Sequence, residues 1–398
     1  MKARATAILC TMLILLAACG DKSDDASKSK GEKSDLIIGM PIARTGFFSD
    51  FDGPVAVGVQ LKVKEVNASG GVKGRKLKVI FADTKSDPKL IQPAVLEVLD
   101  KGADVVITSC DYDLGGPAAR VASQRNILAM GCASSPSYGV KGIGPTAFNT
   151  ASGTPTETAV MAEFAYKKGF RKAYMLEDES LDYTRSTCEF FEKNFKASAG
   201  KDSIVGRDTF QNEDASVAAQ ITRLKSQRDA DFIVMCSYPP GGATAIRQIR
   251  AAGIDLPIVT SDAFDGEFWL EGVPNASDIY HTAAGSLFGD DPDSEINDFF
   301  KAYKAETGEV APSGFGLYGA VSVEMLVKAV KETGGTDGKE LSEAIERFKG
   351  EDFILGATTY TDLCHSPVGR ELRMIEIQGG KSSFIEVVEP KKLPKENC

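Results

Sequence analysis

SCDYDLGGPAARVASQRNILAMGCASSPSYG, residues 109–139, reads as a strand end, a loop, a helix, a second strand and a second loop. The strand leading into it, Asp104-Val105-Val106-Ile107-Thr108, is short and mostly apolar. Asp111-Tyr112-Asp113-Leu114-Gly115-Gly116 does not continue that strand and forms the loop. Pro117 suits a first helical position, where its missing N–H would be unpaired in any case. Ala118, Ala119, Val121 and Ala122 carry the helix, and Ile127-Leu128-Ala129-Met130 forms the next strand. Two parallel strands thus deliver two polar loops, one around Asp111 and one at Gly131–Pro136, to the same carboxyl edge. In open α/β sheets ligands bind at that edge. The stretch predicts a binding site on a rigid sheet, without catalytic residues.

The same alternation extends both ways. Asp35–Met40 is a first strand, Ala43–Gly53 a loop, and Pro54 opens a helix whose Val55, Val59, Val63 and Val66 share one face. Asn67–Arg75 is glycine-rich, but it follows a helix and precedes a strand, the wrong order for a phosphate cradle. Residues 76–83 and 88–101 add a second strand and helix. A second round begins near residue 150, with helices over 157–168, 215–226 and 243–252 and strands over 173–176, 231–236 and 257–260. Residues 280–289 are extended and cross back to the first domain. Helices over 296–304 and 318–331 follow, the second with Glu324 facing out, and strands over 373–377 and 383–388 end the chain. The expected fold class is α/β, two doubly wound parallel-sheet lobes joined by a three-strand hinge with a cleft between them. Residues 35–150 plus 284–360 make lobe one, and 151–283 plus 361–398 make lobe two.

The N-terminus stands apart from this pattern. Met1-Lys2-Ala3-Arg4 is basic, and residues 7–16 are apolar but too few for a comfortable membrane span. Leu16-Ala17-Ala18-Cys19 then looks like a bacterial lipobox. This predicts a signal peptide over 1–18, a lipid on Cys19, and a polar tether over 19–34 that buries no core. The address is therefore the periplasm or cell surface, membrane-anchored as a lipoprotein. The net charge of −10 argues against nucleic acid as a partner.

Six cysteines remain in the mature chain beyond Cys19, in a compartment where disulfides persist. Sequence alone allows fifteen pairings. Cys110 and Cys132 end adjacent strands in the reading above and are the best-supported pair. Cys364 with Cys398 would tie down the tail, which leaves Cys188 with Cys236. The spacing suits no metal site, and no cofactor is expected.

Taken in order, Asn67–Arg75 with Asp83–Pro88, Gly253 followed by Leu256-Pro257-Ile258, and the helix over 317–330 make the chain resemble the type I periplasmic binding proteins, in the leucine/isoleucine/valine-binding branch that feeds ABC importers. The resemblance covers residues 35 to 390. It implies two lobes that close on a small polar molecule, and a closed form that docks on an ABC permease in the inner membrane. It places Tyr112, and the Ala133 and Ser135 loop that receives a ligand carboxylate and amine, in lobe one. In lobe two it places the cleft aromatics Tyr183 and Tyr238, with Asp262 as the acid that pairs with a ligand ammonium. Phe51 falls near an aromatic that covers the ligand.

Read as chemistry alone, Ser134 and Ser135 before Pro136 are placed to cap a helix whose free N–H groups attract a carboxylate. Asp262 follows a strand end and either faces the cleft or caps a helix over 264–270. Asp111 and Asp113 depart from the family, because carboxylates beside a ligand carboxylate repel it. Either they cap the Pro117 helix, or the ligand has a cationic or hydroxyl-rich end there. Catalysis is not expected: His281 and His365 are the only histidines, and neither sits in a nucleophile motif. The function expected is capture of an amino-acid-like or related solute for an importer. The alternative is a periplasmic sensor subunit for an amide, amine or aromatic acid.

Overall fold

A computed structural model describes residues 34–392. The predicted signal peptide, Cys19, the tether up to Lys33 and Cys398 lie outside the described residues.

The first sheet grows from β1 (Leu36–Ile42), α1 (Ser49–Ala68), β2 (Leu77–Asp83), α2 (Pro88–Asp100), β3 (Val105–Ile107), α3 (Tyr112–Gln124), β4 (Leu128–Gly131) and β5 (Ala147–Asn149). Its strands are all parallel, in the order β2-β1-β3-β4-β5. The second sheet follows α4 (Gly153–Lys167). It begins with β6 (Ala173–Asp178), α5 (Asp182–Ala199), β7 (Ile204–Phe210), α6 (Ala218–Ser226), β8 (Phe232–Cys236), α7 (Gly241–Ala251), β9 (Ile258–Thr260) and β10 (Ile279–Ala283). The chain then adds α8 (Ser294–Thr307), α9 (Gly316–Thr333), α10 (Gly338–Glu346) and the hairpin β11 (Glu351–Phe353) and β12 (Gly356–Thr358). It ends on β13 (Leu372–Gln378) and β14 (Lys381–Val388), which extend the second sheet to the order β14-β13-β10-β9-β8-β6-β7. Its doubly wound part, β10-β9-β8-β6-β7, is parallel as expected, and β13 adds antiparallel pairs with both β10 and β14 at one side.

The parallel strands of the two sheets wind alike. In each, the first strand has the second on one side and the third on the other, which creates a crevice at the carboxyl ends. The crevice of the first sheet lies between β1 and β3, and that of the second between β6 and β8. The chain passes between the sheets three times, after β5, after β10 and before β13. Arg370 is buried at the third passage and donates to the Thr150 carbonyl of the first at 2.6 Å and to Thr358 Oγ1 at 2.8 Å.

Helices α1 and α9 pack closely. A Cβ on Gly58 would lie 1.9 Å from the Gly316 carbonyl oxygen, and one on Gly319 would lie 2.2 Å from that of Val55. Only glycine admits so near an approach, and it lets Val55, Val59 and Val63 sink into one apolar cluster with Val321 and Met325. Glu324 does not face out as expected; it turns back to Lys62 at 2.8 Å and accepts the Ile354 N–H.

Of the three helices that the sequence starts at a proline, α2 does start at Pro88, while α1 and α3 start five residues sooner, at Ser49 and Tyr112. Pro54 and Pro117 each occupy the sixth helical position, where each forfeits a single i→i−4 bond. The carbonyl that Pro54 leaves without its helical donor, that of Asp50, accepts the Ser313 hydroxyl at 3.3 Å.

Candidate functional site

The carboxyl edges of the two sheets meet around one small cavity of about 30 Å³. Phe48 and Phe51 reach it from the start of α1, Cys110 and Asp111 from the end of β3, and Cys132 and Ser134 from the end of β4. Leu181 and Tyr183 come from the β6–α5 turn, Tyr238 from the end of β8, and Asp262 with Ala263 from the end of β9. Phe315, just before α9, completes the lining, which contains no lysine, arginine or histidine.

On the first sheet, Asp52 sets the loops. Its buried carboxylate accepts the N–H of Ala43 at 2.8 Å and of Cys110 at 2.9 Å, so it joins the ends of β1 and β3. Burial pushes its carboxyl up to about 6. A disulfide between Cys110 and Cys132 joins the ends of β3 and β4. Asp111 is the N-cap of α3, with Oδ1 accepting the Leu114 N–H at 3.0 Å, and the same side chain lines the cavity. Capping and cavity contact, posed as alternatives by the sequence, therefore coexist. Burial, with the Asp113 charge beside it, raises the Asp111 carboxyl to about 7.

On the second sheet, Asp262 holds an acid–phenol network. Tyr183 donates to its Oδ1 at 3.0 Å and Tyr318 to its Oδ2 at 2.9 Å. Its own N–H donates to Glu157 Oε1 at 2.8 Å, and Thr282 donates to the same oxygen at 2.7 Å. Glu157 Oε2 lies 3.1 Å from the Tyr183 hydroxyl. One phenolic proton cannot serve two carboxylates, so one acid of the pair keeps its proton. Burial and the Asp262 charge raise Glu157 well above the usual range, which makes Glu157 the protonated member. The short helical turn over Asp262–Phe264 stops there, so Asp262 does not cap a helix over 264–270.

Three candidates fall outside the cavity. Tyr112 is the first residue of α3 and turns to the helix's outer side. There its hydroxyl accepts from Arg120 at 2.5 Å and its ring packs beside Ala119 and Ala122. The Ala133 side chain packs in that same cluster, with Val106 and Tyr138. Ser135 is buried but donates to the Asp182 carboxylate of α5, across from its own sheet. No helix follows Ser134 and Ser135; turns do, and the Ser135 hydroxyl accepts the Ser137 N–H. Asp113 also reaches across, accepting the Asp182 N–H at 3.0 Å.

The sequence reading missed Glu157, Tyr318, Phe48 and Phe315 as parts of this region. Glu157 sits in the first turns of α4, where an acid ordinarily reads as a solvated partner of the helix dipole. Among the described residues no group of acids, cysteines or histidines is arranged to hold a metal ion. A second disulfide joins Cys188 of α5 to Cys236 of β8, and Cys364 is disulfide-bonded.

Comparison with known proteins bears on this arrangement. Residues 36–381 match the family described as periplasmic binding protein. The chain is 25% identical over 338 residues to the Leu/Ile/Val-binding protein homolog 3 of Brucella melitensis, covering 83% of this chain and 88% of that one. Among solved structures, it resembles the branched-chain amino acid transporter substrate-binding protein LivJ from Streptococcus pneumoniae in complex with isoleucine. That likeness has a TM-score of 0.77 at 24% identity, over 89% of this chain and 100% of that one. A solute-binding protein of an ABC transporter from R. palustris, in complex with benzoate, matches with a TM-score of 0.74 at 20% identity, over 92% and 99% of the two chains. The match spans nearly all of both sheets, and with it the chain belongs to the periplasmic binding protein family, whose members bind solutes outside the cytoplasm and are not enzymes.

Proposed function

We propose that this chain is the capture subunit of an ABC importer. Residues 35–150 plus 284–360 act as one lobe and 151–283 plus 361–398 as the other. They part and close about the three chain passages, and a small polar, amino-acid-like or related solute is enclosed between them. The closed form then delivers its solute to a permease in the membrane. A lipid on Cys19 holds the protein at the membrane surface and keeps its concentration near the permease high.

The observation that carries this reading is the position of the cavity. It lies where two sheet crevices face each other, and neither half supplies its walls alone. Asp111 and Ser134 approach the solute from one side, Tyr238 and Asp262 from the other. Around them, aromatic rings exclude water and so strengthen polar contacts: the Phe51 ring lies tilted against Phe48 with centres 4.7 Å apart and edge-on to Phe315 at 5.2 Å. LivJ holds isoleucine and the R. palustris protein holds benzoate, so this fold accommodates different solutes through the residues at the sheet ends.

The test is a thermal-shift screen of amino acids, amides, amines and aromatic acids. A cleft solute raises the melting temperature by binding the folded state. A chain whose melting no solute shifts is not a capture subunit for these classes.

A further inference from the structure

The cavity of about 30 Å³ has room for about two or three water-sized groups, the bulk of glycine, urea or acetamide. Isoleucine and benzoate, the solutes of LivJ and of the R. palustris protein, are both bulkier. The walls leave little slack to take up the difference. On the apolar side the buried Phe51 ring meets three others: Phe48 at 4.7 Å from the start of α1, Phe315 at 5.2 Å from just before α9, and Phe268 at 5.8 Å from the connection between β9 and β10. Phe315 is backed in turn by Tyr318 at 5.4 Å, whose hydroxyl is held by Asp262.

The main chain behind these rings is pinned as well. The Phe48 N–H donates to Ser86 Oγ at 3.1 Å, and Asp52, next to Phe51, holds the N–H groups of Ala43 and Cys110. The Cys110–Cys132 bridge fixes the ends of β3 and β4. Close-packed walls resist added volume, so a bulky group forced among them causes strain instead of finding room. The polar edge suits the same small bulk. The main-chain N–H groups of Asp111, Ser134, Tyr238 and Ala263 have no acceptor among the described residues. The Asp111 carboxyl, raised to about 7, both donates and accepts near neutral pH. A solute of few atoms engages polar groups of both sheets at once and has no apolar stem to accommodate.

We propose that Phe51 sets an upper limit on solute size, and that the solute is a polar molecule of about the bulk of glycine or a short amide, without a branched or aromatic side chain. This rests on the capture reading above and narrows it to a size class.

The experiment uses three series, each with one polar group and a growing apolar part: glycine, alanine and leucine; acetamide, isobutyramide and benzamide; methylamine, propylamine and isoamylamine. Each member is titrated calorimetrically into the mature wild-type chain, into Phe51→Ala and into Phe51→Leu. The leucine variant carries the test where a melting curve shows that the alanine variant does not fold. An added methylene ordinarily tightens binding. Here, in each series that binds to the wild type, the shortest member is expected to bind about tenfold or more tighter than the longest, and the variants to shrink or reverse that gap. The proposal is overturned if in any such series the longest member binds as tightly as the shortest or more so, if no member of any series binds, or if the variants keep the wild-type gap. Capture itself survives each of these results whenever the broader screen yields a solute, and falls only when none does.

Discussion

The main-chain N–H of Asp182, at the start of α5, donates to the carboxylate of Asp113 on α3, 3.0 Å away. An acid on one sheet thus caps a helix that belongs to the other, and the Ser135 hydroxyl grips the Asp182 side chain beside it. Both bonds exist only while the two halves are together. We predict that Asp113→Ala lowers solute affinity by roughly five- to thirtyfold, from about 1–2 kcal/mol of lost capping. The melting temperature without solute should hardly move. Calorimetry and a melting curve check this, and unchanged affinity would mean that the contact does not hold the closed form.

Glu157 is expected to tolerate amidation. As the protonated member of its pair, it resembles glutamine in shape and in donors. Glutamine can still accept the Asp262 N–H and the Thr282 hydroxyl while donating toward Tyr183. Glu157→Gln should stay within about 1 kcal/mol of the wild type in denaturant unfolding. Glu157→Ala leaves those donors buried without an acceptor and should cost about 2–4 kcal/mol. Equal losses in the two variants would show that Glu157 is ionised.

The buried acids also set a pH dependence. Histidine in the unfolded chain is half-protonated near pH 6.5 and neutral by about pH 7.5, whereas His281 and His365, both lowered by burial, are neutral in the folded one, so they oppose the trend only at the lower end of the window. Asp111 at about 7 and Asp265 at about 8 still hold protons there that the unfolded chain has lost. The folded state binds more protons in this window, so stability falls as pH rises through it. The melting temperature without solute should decline from about pH 6.5 to about pH 8.5. Asp265→Asn should flatten the upper part of the decline, because the Gly314 N–H that Asp265 accepts at 2.8 Å can be accepted by an amide oxygen. A melting temperature that rises across this range would contradict the assignment.

The Cys110–Cys132 bridge joins the two strand ends that carry Asp111 and Ser134. It closes 22 residues of chain, worth about 3 kcal/mol by loop entropy. A Cys110→Ser, Cys132→Ser double variant should lose about that much in denaturant unfolding. Thiol labelling of the unfolded, unreduced wild type should leave both residues unmodified, and label at either one would refute the pairing.

The winding of the sheets was legible because their strands are apolar runs broken by polar turns. Several elements escaped, β5, α5, β7 and α10 among them, and two of these show why. Strand β5 has only three residues, too few for any period to show. Helix α5 did carry a signal, since Thr184, Cys188, Phe191 and Phe195 fall on one face and are buried, and reading that period would have found it. At the cavity, residues directly after strand ends could be placed from order alone, which is why Asp111, Ser134 and Asp262 could be read from the chain itself, whereas Tyr183 and Tyr238 were implied only by the family resemblance. Which way a side chain turns depends on packing. Tyr112 follows Asp111 by one residue, yet the turn of α3 carries it to the far side beside Arg120. Glu157 and Tyr318 come to Asp262 from helices more than fifty residues away, a meeting that only tertiary structure arranges.

Small-angle scattering of the mature wild-type chain tests the central claim, capture by closure, most directly. The probe is whichever compound gives the largest thermal shift in the screen, added at saturation. The account predicts that the ligand-free chain scatters as a more extended particle than the structure described here, and that the compound converts its profile to the one calculated from this structure. A profile that stays the same with and without a compound that calorimetry shows to be bound would contradict it.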